Sequence, residues 1–226
     1  MKNKYYVLVP AYNAADTIGQ LIDRLTKLSD FFEKIVVVND GSNDDTATIV
    51  NQFTEVLCFS HQKNKGKGEA LQTGIDLILQ QFENATAIIF IDSDLQHEPE
   101  HIPLFVEAFE QGRGDFIIGR RQMTLRKMPL ARILSNLMTS FLISIKLRKK
   151  VYDSQCGFRM ISTALLKGAK PFETGSYAFE SELLIKSGRN DAKFAHINVP
   201  TIYHGEQSYI NGFRDTFAFI RTYLRF

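Results

Sequence analysis

The sequence predicts an α/β fold, a mostly parallel central sheet flanked by helices. Three observations predict it. Strand-like and helix-like segments alternate four times between Tyr5 and Ile118. The strand segments around Val7, Val36 and Ile89 are continuous apolar runs, as strands buried on both faces read. Each of those runs passes into a polar or turn-forming stretch: Pro10-Ala11-Tyr12-Asn13, Asp40-Gly41-Ser42 and Asp92-Ser93-Asp94.

Taken in order, Tyr5–Val9 is the first strand, closed by Pro10. Ile18, Leu21, Ile22, Leu25 and Leu28 share one helical face between Asp16 and Leu28. Lys34–Val38 is a second buried strand, and Asp44 or Asp45 starts a short helix through Val50. Glu55–Phe59 is a weaker third strand. The loop Asn64-Lys65-Gly66-Lys67-Gly68 opens a helix to about Phe82. Thr86–Ile91 is the next strand, Glu98-Pro99 starts a helix to about Gln111, and Asp115–Ile118 is a further strand. Right-handed crossovers put the strand C-termini on one edge, so the three polar stretches meet in one cleft.

The second half is less regular. From Pro129, the residues Ile133, Leu134, Leu137, Met138, Phe141, Leu142 and Ile145 fall on one helical face, with Arg132, Ser135, Asn136, Thr139 and Ser140 on the other. Asp153 to Arg159 is a polar loop, Tyr177–Ser187 is helical, and Lys193–Val199 is a strand stopped by Pro200. From Ser208 the tail returns to helical spacing, with Arg214, Arg221 and Arg225 between apolar positions.

A chain of 226 residues with 44% hydrophobic and 12% aromatic content can bury a full core. The net charge of +2 gives no indication of nucleic acid as a partner. Its distribution is uneven. Between Asp115 and Asp153 there are nine basic residues and no acidic one, which leaves 18 basic and 25 acidic residues elsewhere. Cys58 and Cys156 have neither metal-type spacing nor a disulfide framework, which agrees with a reducing compartment. A strand that begins almost at once predicts no signal peptide, and the absence of 18 uncharged apolar residues in a row predicts no membrane span.

The chemistry concentrates at the end of the Ile88–Ile91 run. In an extended segment residues i and i+2 point the same way, so Asp92 and Asp94 can converge on one cation, with Gln96 adding a third oxygen in phase. Hard oxygen donors suit Mg²⁺ or Mn²⁺ shared with a substrate phosphate; capping of the following helix is the alternative. The two glycines and two lysines of Asn64–Gly68 can place N–H groups and ammonium charge near a phosphate, although the loop has neither Walker A nor dinucleotide spacing. Asp40 can accept hydrogen bonds from a ribose or base, or close an Asx turn.

Val9-Pro10-Ala11-Tyr12-Asn13, Val38-Asn39-Asp40-Gly41-Ser42 with Thr46, Asn64–Gly68 and Asp92–His97 together resemble family 2 of the inverting glycosyltransferases. Asp153–Arg159 and Phe179-Glu180-Ser181-Glu182 resemble the branch with dolichyl- and polyprenyl-phosphate mannosyl- and glucosyltransferases. The resemblance spans residues 5 to about 208. It implies the GT-A fold as a single domain, with a nucleotide-sugar-binding half over about 1–118 and an acceptor-side half over about 119–226. It further implies that Pro10, Tyr12, Asn13 and Asp40 hold the nucleoside, that Lys65 and Lys67 lie beside the nucleotide, and that Asp92, Asp94 and Gln96 hold the diphosphate through Mn²⁺ or Mg²⁺. Arg121, Arg132 and Ser135 match the residues that grip an acceptor phosphate. An acceptor phosphate is ionised near neutral pH and needs no strong base, whereas an alcohol needs one, for which Asp153 and Glu180 are the candidates.

The expected activity is transfer of a hexose from a UDP- or GDP-linked sugar to polyprenyl phosphate, in the cytoplasm or at the cytoplasmic membrane face. The alternatives are transfer to a sugar hydroxyl of a cell-surface glycan, or a non-catalytic nucleotide-sugar or membrane-binding module. The chain departs from that branch at Ala14, where relatives carry glutamate, and at Tyr203-His204-Gly205-Glu206-Gln207-Ser208, where His204 is the nearest cationic candidate. The basic segment and the Phe- and Arg-rich tail suggest peripheral contact with an anionic bilayer.

Overall fold

The first strand, β1 (Tyr5–Ala11), is buried along its whole length in the computed structural model, which describes residues 3–123, 128–175, 178–202 and 212–226, the stretch 212–217 as backbone alone. Its position explains the apolar run: β2 (Lys34–Asn39) pairs with it on one side and β4 (Ala87–Phe90) on the other, both parallel. Helix α1 (Ala15–Thr26) follows β1 and buries Ile18, Leu21, Ile22 and Leu25, the stripe its periodicity predicts. Short α2 (Thr46–Val50) leads to β3 (Val56–Ser60), which pairs with β2 and is partly exposed at the sheet edge. Helix α3 (Lys67–Gln81) packs back on β1 and β2; Gly74 is required there, since a Cβ would stand 2.1 Å from a Leu8 methyl.

After β4, a 3₁₀ turn at Pro99–His101 runs into α4 (Ile102–Glu110), and β5 (Phe116–Arg121) follows. The long α5 (Leu130–Leu147) leads to β6 (Arg159–Ser162), α6 (Thr163–Ala169), α7 (Ala178–Arg189), β7 (Phe194–Val199) and α8 (Gly212–Arg225). The sheet order is β3-β2-β1-β4-β6-β5-β7. Among the described residues only β6 runs against the others, pairing antiparallel with β4 and with β5. The order reverses beside β1, so the C-terminal ends of β1 and β4 open the crevice in which sheets of this kind bind ligands.

Two expectations change. The strand β6 and helix α6 are absent from the sequence reading, and β6 breaks the rule that every strand ends on one edge. The strand before Asp92 stops at Phe90, so the extended geometry meant to align Asp92 with Asp94 is missing: Ser93 and Asp94 form a turn, and Leu95 has φ 59. Helix α5 is long and apolar enough to cross a membrane by length and composition alone. It lies instead against the body, packed on α7, and its buried residues include Asn136, Thr139 and Ser140.

Candidate active site

Asp92 follows β4 at the reversal point, in a narrow cleft lined also by Pro10, Phe90, Gly157, Arg159 and Glu180. Its carboxylate lies in contact with the loop after Asp153. A Cβ on Gly157 would stand 2.2 Å from Asp92 Oδ2, so only glycine lets that backbone approach. On its other side Asp92 Oδ1 accepts the ammonium of Lys67 at 2.7 Å. The same ammonium lies 3.1 Å from Glu180 Oε1. Lys67 is the first residue of α3, and Glu180 is in the first turn of α7, so three elements converge on one charge cluster.

The electrostatics follow from this geometry. Burial disfavours the charged Lys67, but Asp92 and Glu180 outweigh it and raise its pKa. Burial likewise opposes the Asp92 carboxylate, and Lys67 reverses the balance and holds its pKa below the usual carboxylate range. Neighbouring His97 is buried, and desolvation lowers its pKa to about 4, so it is neutral at physiological pH. Arg159, also buried, donates to the Cys156 carbonyl at 2.7 Å and to the Ser154 carbonyl at 2.9 Å, and its Nη2 lies 3.8 Å from Glu180 Oε2. It ties the loop beneath Asp92 to α7.

Asp40 follows β2 and is 2% exposed. Its oxygens accept the backbone N–H groups of Lys65 at 3.0 Å and Gly66 at 2.8 Å, and His61 Nδ1 lies 2.6 Å from Oδ1. The other ring nitrogen of His61 lies 3.0 Å from Thr73 Oγ1 of α3. Asp40 therefore organises the Lys65–Gly66 loop, and both its oxygens already serve protein donors. Gly41, at φ 67, is pressed against the Lys63 backbone at 2.3 Å from where a Cβ would lie. Tyr12 is half-buried and Asn13 exposed at the end of β1, where the Asn13 N–H donates to Ser42 Oγ at 2.9 Å and Asn13 Oδ1 accepts from the Asn43 N–H. The ends of β1 and β2 thus form one polar rim with the Lys65 loop.

Asp153 does not fit the role of a base. It is fully buried and takes four donors: the Arg121 N–H at 3.2 Å, Arg121 Nε at 2.8 Å, Arg121 Nη2 at 2.9 Å and Asn136 Nδ2 at 2.7 Å. Burial opposes its charge, but Arg121 and Asn136 overcome this and lower its pKa, which makes it a weak proton acceptor. It orients Arg121, whose pKa is raised by the same pair against the cost of burial. Glu180 is the remaining candidate base. Arg132 and Ser135 lie one turn apart on α5, both half-buried, beside the Asn136 that reaches Asp153. His204 and its neighbours lie outside the described residues.

Asp94 Oδ1 accepts the Gln96 N–H at 3.0 Å, which closes the turn after Asp92. Among the described residues no three acidic, His or Cys side chains are grouped to hold a metal unaided. Asp92, Asp94 and the Gln96 amide offer hard oxygens of the kind Mg²⁺-type ions use, one or two carboxylates with substrate phosphate and water completing the shell. The Lys67 ammonium on Asp92 shows that this carboxylate accepts a cation. Residues missed by the sequence reading are Arg159, His61, Asn136 and Gly157 as a close-approach position. For His61 a signal existed, since it directly follows a strand, as Asp40 does and Asp92 nearly does.

The pattern of Glycosyl transferase family 2 matches residues 6–168. An uncharacterized protein of Methanocaldococcus jannaschii is 34% identical over 215 residues, covering 90% of each chain. A UDP-N-acetylglucosamine–dolichyl-phosphate N-acetylglucosaminyltransferase of Methanococcus voltae is 27% identical over 218 residues, covering 88% of this chain and 85% of its own. Glucosyl-3-phosphoglycerate synthase from Mycobacterium tuberculosis, solved with Mn²⁺, UDP-glucose and glycerol 3-phosphate, superposes with a TM-score of 0.75 at 23% identity over 99% of this chain and 79% of that one. That likeness carries the fold, the GT-A architecture expected from the sequence.

Proposed function

This chain belongs to glycosyl transferase family 2 and is a glycosyltransferase of GT-A fold; from that premise we propose that it moves a hexose from a nucleotide sugar to a polyprenyl-phosphate acceptor, with a divalent cation. The observation that carries the reading is the convergence of Asp92, Lys67 and Glu180 at the strand-order reversal. The M. voltae relative, named for a dolichyl-phosphate acceptor, supports the lipid phosphate over a glycan hydroxyl. A non-catalytic module has no use for a carboxylate held ionised in a cleft by a half-buried lysine.

Residues 1–118 take the donor and 119–226 the acceptor. The rim of Pro10, Tyr12 and Asn13 and the loop that Asp40 organises receive the nucleoside. Asp92, Asp94 and Gln96 would hold a Mn²⁺ or Mg²⁺ ion; bound there, it neutralises charge gathering on the departing nucleoside diphosphate. Lys67 adds a fixed positive charge beside the same leaving group. Arg121, fixed by Asp153, and Arg132 with Ser135 take the acceptor phosphate, for which guanidinium suits best. That phosphate is ionised near pH 7, with a second pKa of roughly 6, so its oxygen attacks the anomeric carbon directly, with inversion. Glu180 orients Lys67 in this reading and abstracts no proton. Work on a lipid-borne phosphate places the enzyme at a membrane face.

A screen of UDP- and GDP-sugars with Mn²⁺ or Mg²⁺, with and without a short polyprenyl phosphate, tests the proposal. Nucleoside diphosphate release that depends on the acceptor is expected. Release of pyrophosphate, or acceptor-dependent turnover only with a free sugar hydroxyl, would overturn it.

A further inference from the structure

Two glutamates of α7 point different ways. Glu180 meets Lys67 in the cleft; Glu182, about 200° further round the helix, is fully buried. The Glu182 carboxylate takes the Glu173 N–H at 2.9 Å, the Thr174 N–H at 2.8 Å, the Thr174 hydroxyl at 2.5 Å and the Lys186 ammonium at 2.7 Å. Neutralising Lys186 does not account for this set. That lysine also donates to the Pro171 carbonyl at 2.5 Å, and the other three donors on Glu182 all belong to Glu173 and Thr174. A buried carboxylate given this many donors from one short segment fixes the course of that segment.

The segment crosses to α3. The Gly175 carbonyl accepts the Glu69 N–H at 3.2 Å, and the Thr174 carbonyl accepts Gln72 Nε2 at 2.9 Å. The first N–H groups of a helix have no partner within it, and a side chain just before the helix commonly supplies one. In α3 that position is Gly66, which has no side chain to offer. A Cβ there would stand 3.0 Å from the Gly175 carbonyl oxygen, so the incoming loop occupies the place of a cap. Lys67 therefore sits between two anchors. On the β2 side Asp40 holds the N–H groups of Lys65 and Gly66. On the α7 side the segment seated by Glu182 holds that of Glu69.

We propose that Glu182 is a positioning residue for Lys67: it seats Glu173–Gly175 as the cap of α3 and so sets where the Lys67 ammonium stands against Asp92. Helix α7 then fixes Lys67 twice, its ammonium through Glu180 and its backbone through Glu182. The effect on the leaving diphosphate rests on the reading of function above; the capping does not.

Hydrogen exchange followed by mass spectrometry on the full-length chain, without nucleotide or acceptor, tests the cap. Glu182→Gln turns one acceptor into a donor that faces donors, and residues 67–72 are expected to exchange about tenfold faster while α1 keeps its rates. Thr174→Val removes only the hydroxyl from Glu182 and is expected to give a smaller rise in the same residues, which keeps the test open should Glu182→Gln not fold. No rise at residues 67–72 in either folded variant, or an equal rise throughout the chain, would overturn the proposal. Turnover gives a second readout. Glu182→Gln is expected to lower kcat about tenfold with little change in the donor KM. In a Lys67→Met background it should cost nothing further, because both changes act through one ammonium. Fully additive losses would overturn the positioning role. A chain that transfers no sugar but shows the expected exchange would remove the reading of function and leave the cap standing.

Discussion

The ammonium of Lys67 lies 2.7 Å from the carboxylate of Asp92 and joins the first residue of α3 to the end of β4 across the ligand crevice. The contact gives the site a resident cation. On the proposed reading, a divalent ion at Asp92 would meet a carboxylate already compensated, and Lys67 would have to share it or move toward Glu180. Lys67→Met leaves Asp92 and Glu180 as two carboxylates with their common partner gone. Breaking a buried pair from one side costs about 3–5 kcal/mol; with 24% of the Lys67 side chain exposed, a loss of about 2 kcal/mol is expected. Thermal unfolding with and without Mn²⁺ checks this. The variant should gain more melting temperature from Mn²⁺ than the wild type does, and equal gains would separate Lys67 from the metal site.

Gly157 gives a sharper test of where Asp92 must stand. A methyl group at this position meets Asp92 Oδ2 at 2.2 Å, so the Gly157→Ala variant must push the carboxylate or the loop aside. A displacement of about 1 Å at a catalytic group costs on the order of 10²-fold in rate. We expect kcat to fall by that order with only a modest drop in stability. Gly112→Ala serves as the control, because nothing lies within 4 Å of its Cβ position and only its φ of 64° opposes the change. Near-normal turnover by Gly157→Ala would mean that Asp92 is not held where the chemistry needs it.

How legible this was in the sequence differs from residue to residue. Strands β1, β2 and β4 could be read because continuous apolar runs have one common cause, burial on both faces. Strand β6 could not: it is four residues long and begins with Arg159, which reads as surface. That guanidinium is buried only because the Cys156 and Ser154 carbonyls turn toward it, and no local pattern encodes this. The periodicity of α5 groups Leu134, Leu137, Met138, Phe141 and Ile145 as found, but it puts Ile133 with them, whereas Ile133 is buried beside Asn136; spacing tells which residues share a side only approximately, and not which medium that side meets. Asp92 and Lys67 were each picked out by their local motif. Their contact depends on how α3 crosses back over the sheet, and that is a property of the topology.

The Asp153 carboxylate makes a prediction about acid. Burial raises and its donors lower its pKa, and the donors prevail, so the folded value lies below the unfolded one. A group depressed in this way stabilises the fold above its unfolded pKa of roughly 4, and the contribution is lost as pH falls through the lower folded value. Asp153→Asn keeps the shape but removes the charge that Arg121 needs. The stability gap between wild type and variant should be constant from pH 5 to 8 and close below about pH 4. Urea unfolding at a series of pH values measures it. A gap that widened in acid would contradict the Arg121–Asp153 pairing as the source.

The last prediction concerns the donor side. Asp40 has no surface to speak of, yet two backbone N–H groups of the Lys65–Gly66 loop and the His61 ring all converge on it. Asp40→Ala strands those donors, and each buried group left unpaired costs about 1–3 kcal/mol. The loop can recover water by opening, so part of the cost appears as lost order beside α3 and not as unfolding. Binding of nucleoside diphosphate should then weaken about tenfold or more, while transfer at saturating donor falls much less, since Asp92 and Lys67 stay in place. His61→Leu removes one of the three partners and should give a smaller shift of the same kind. Calorimetric titration with UDP and GDP, set beside kcat for each variant, separates the two effects. A large loss of kcat at unchanged nucleotide affinity in Asp40→Ala would place Asp40 among the reacting groups and not under the nucleoside.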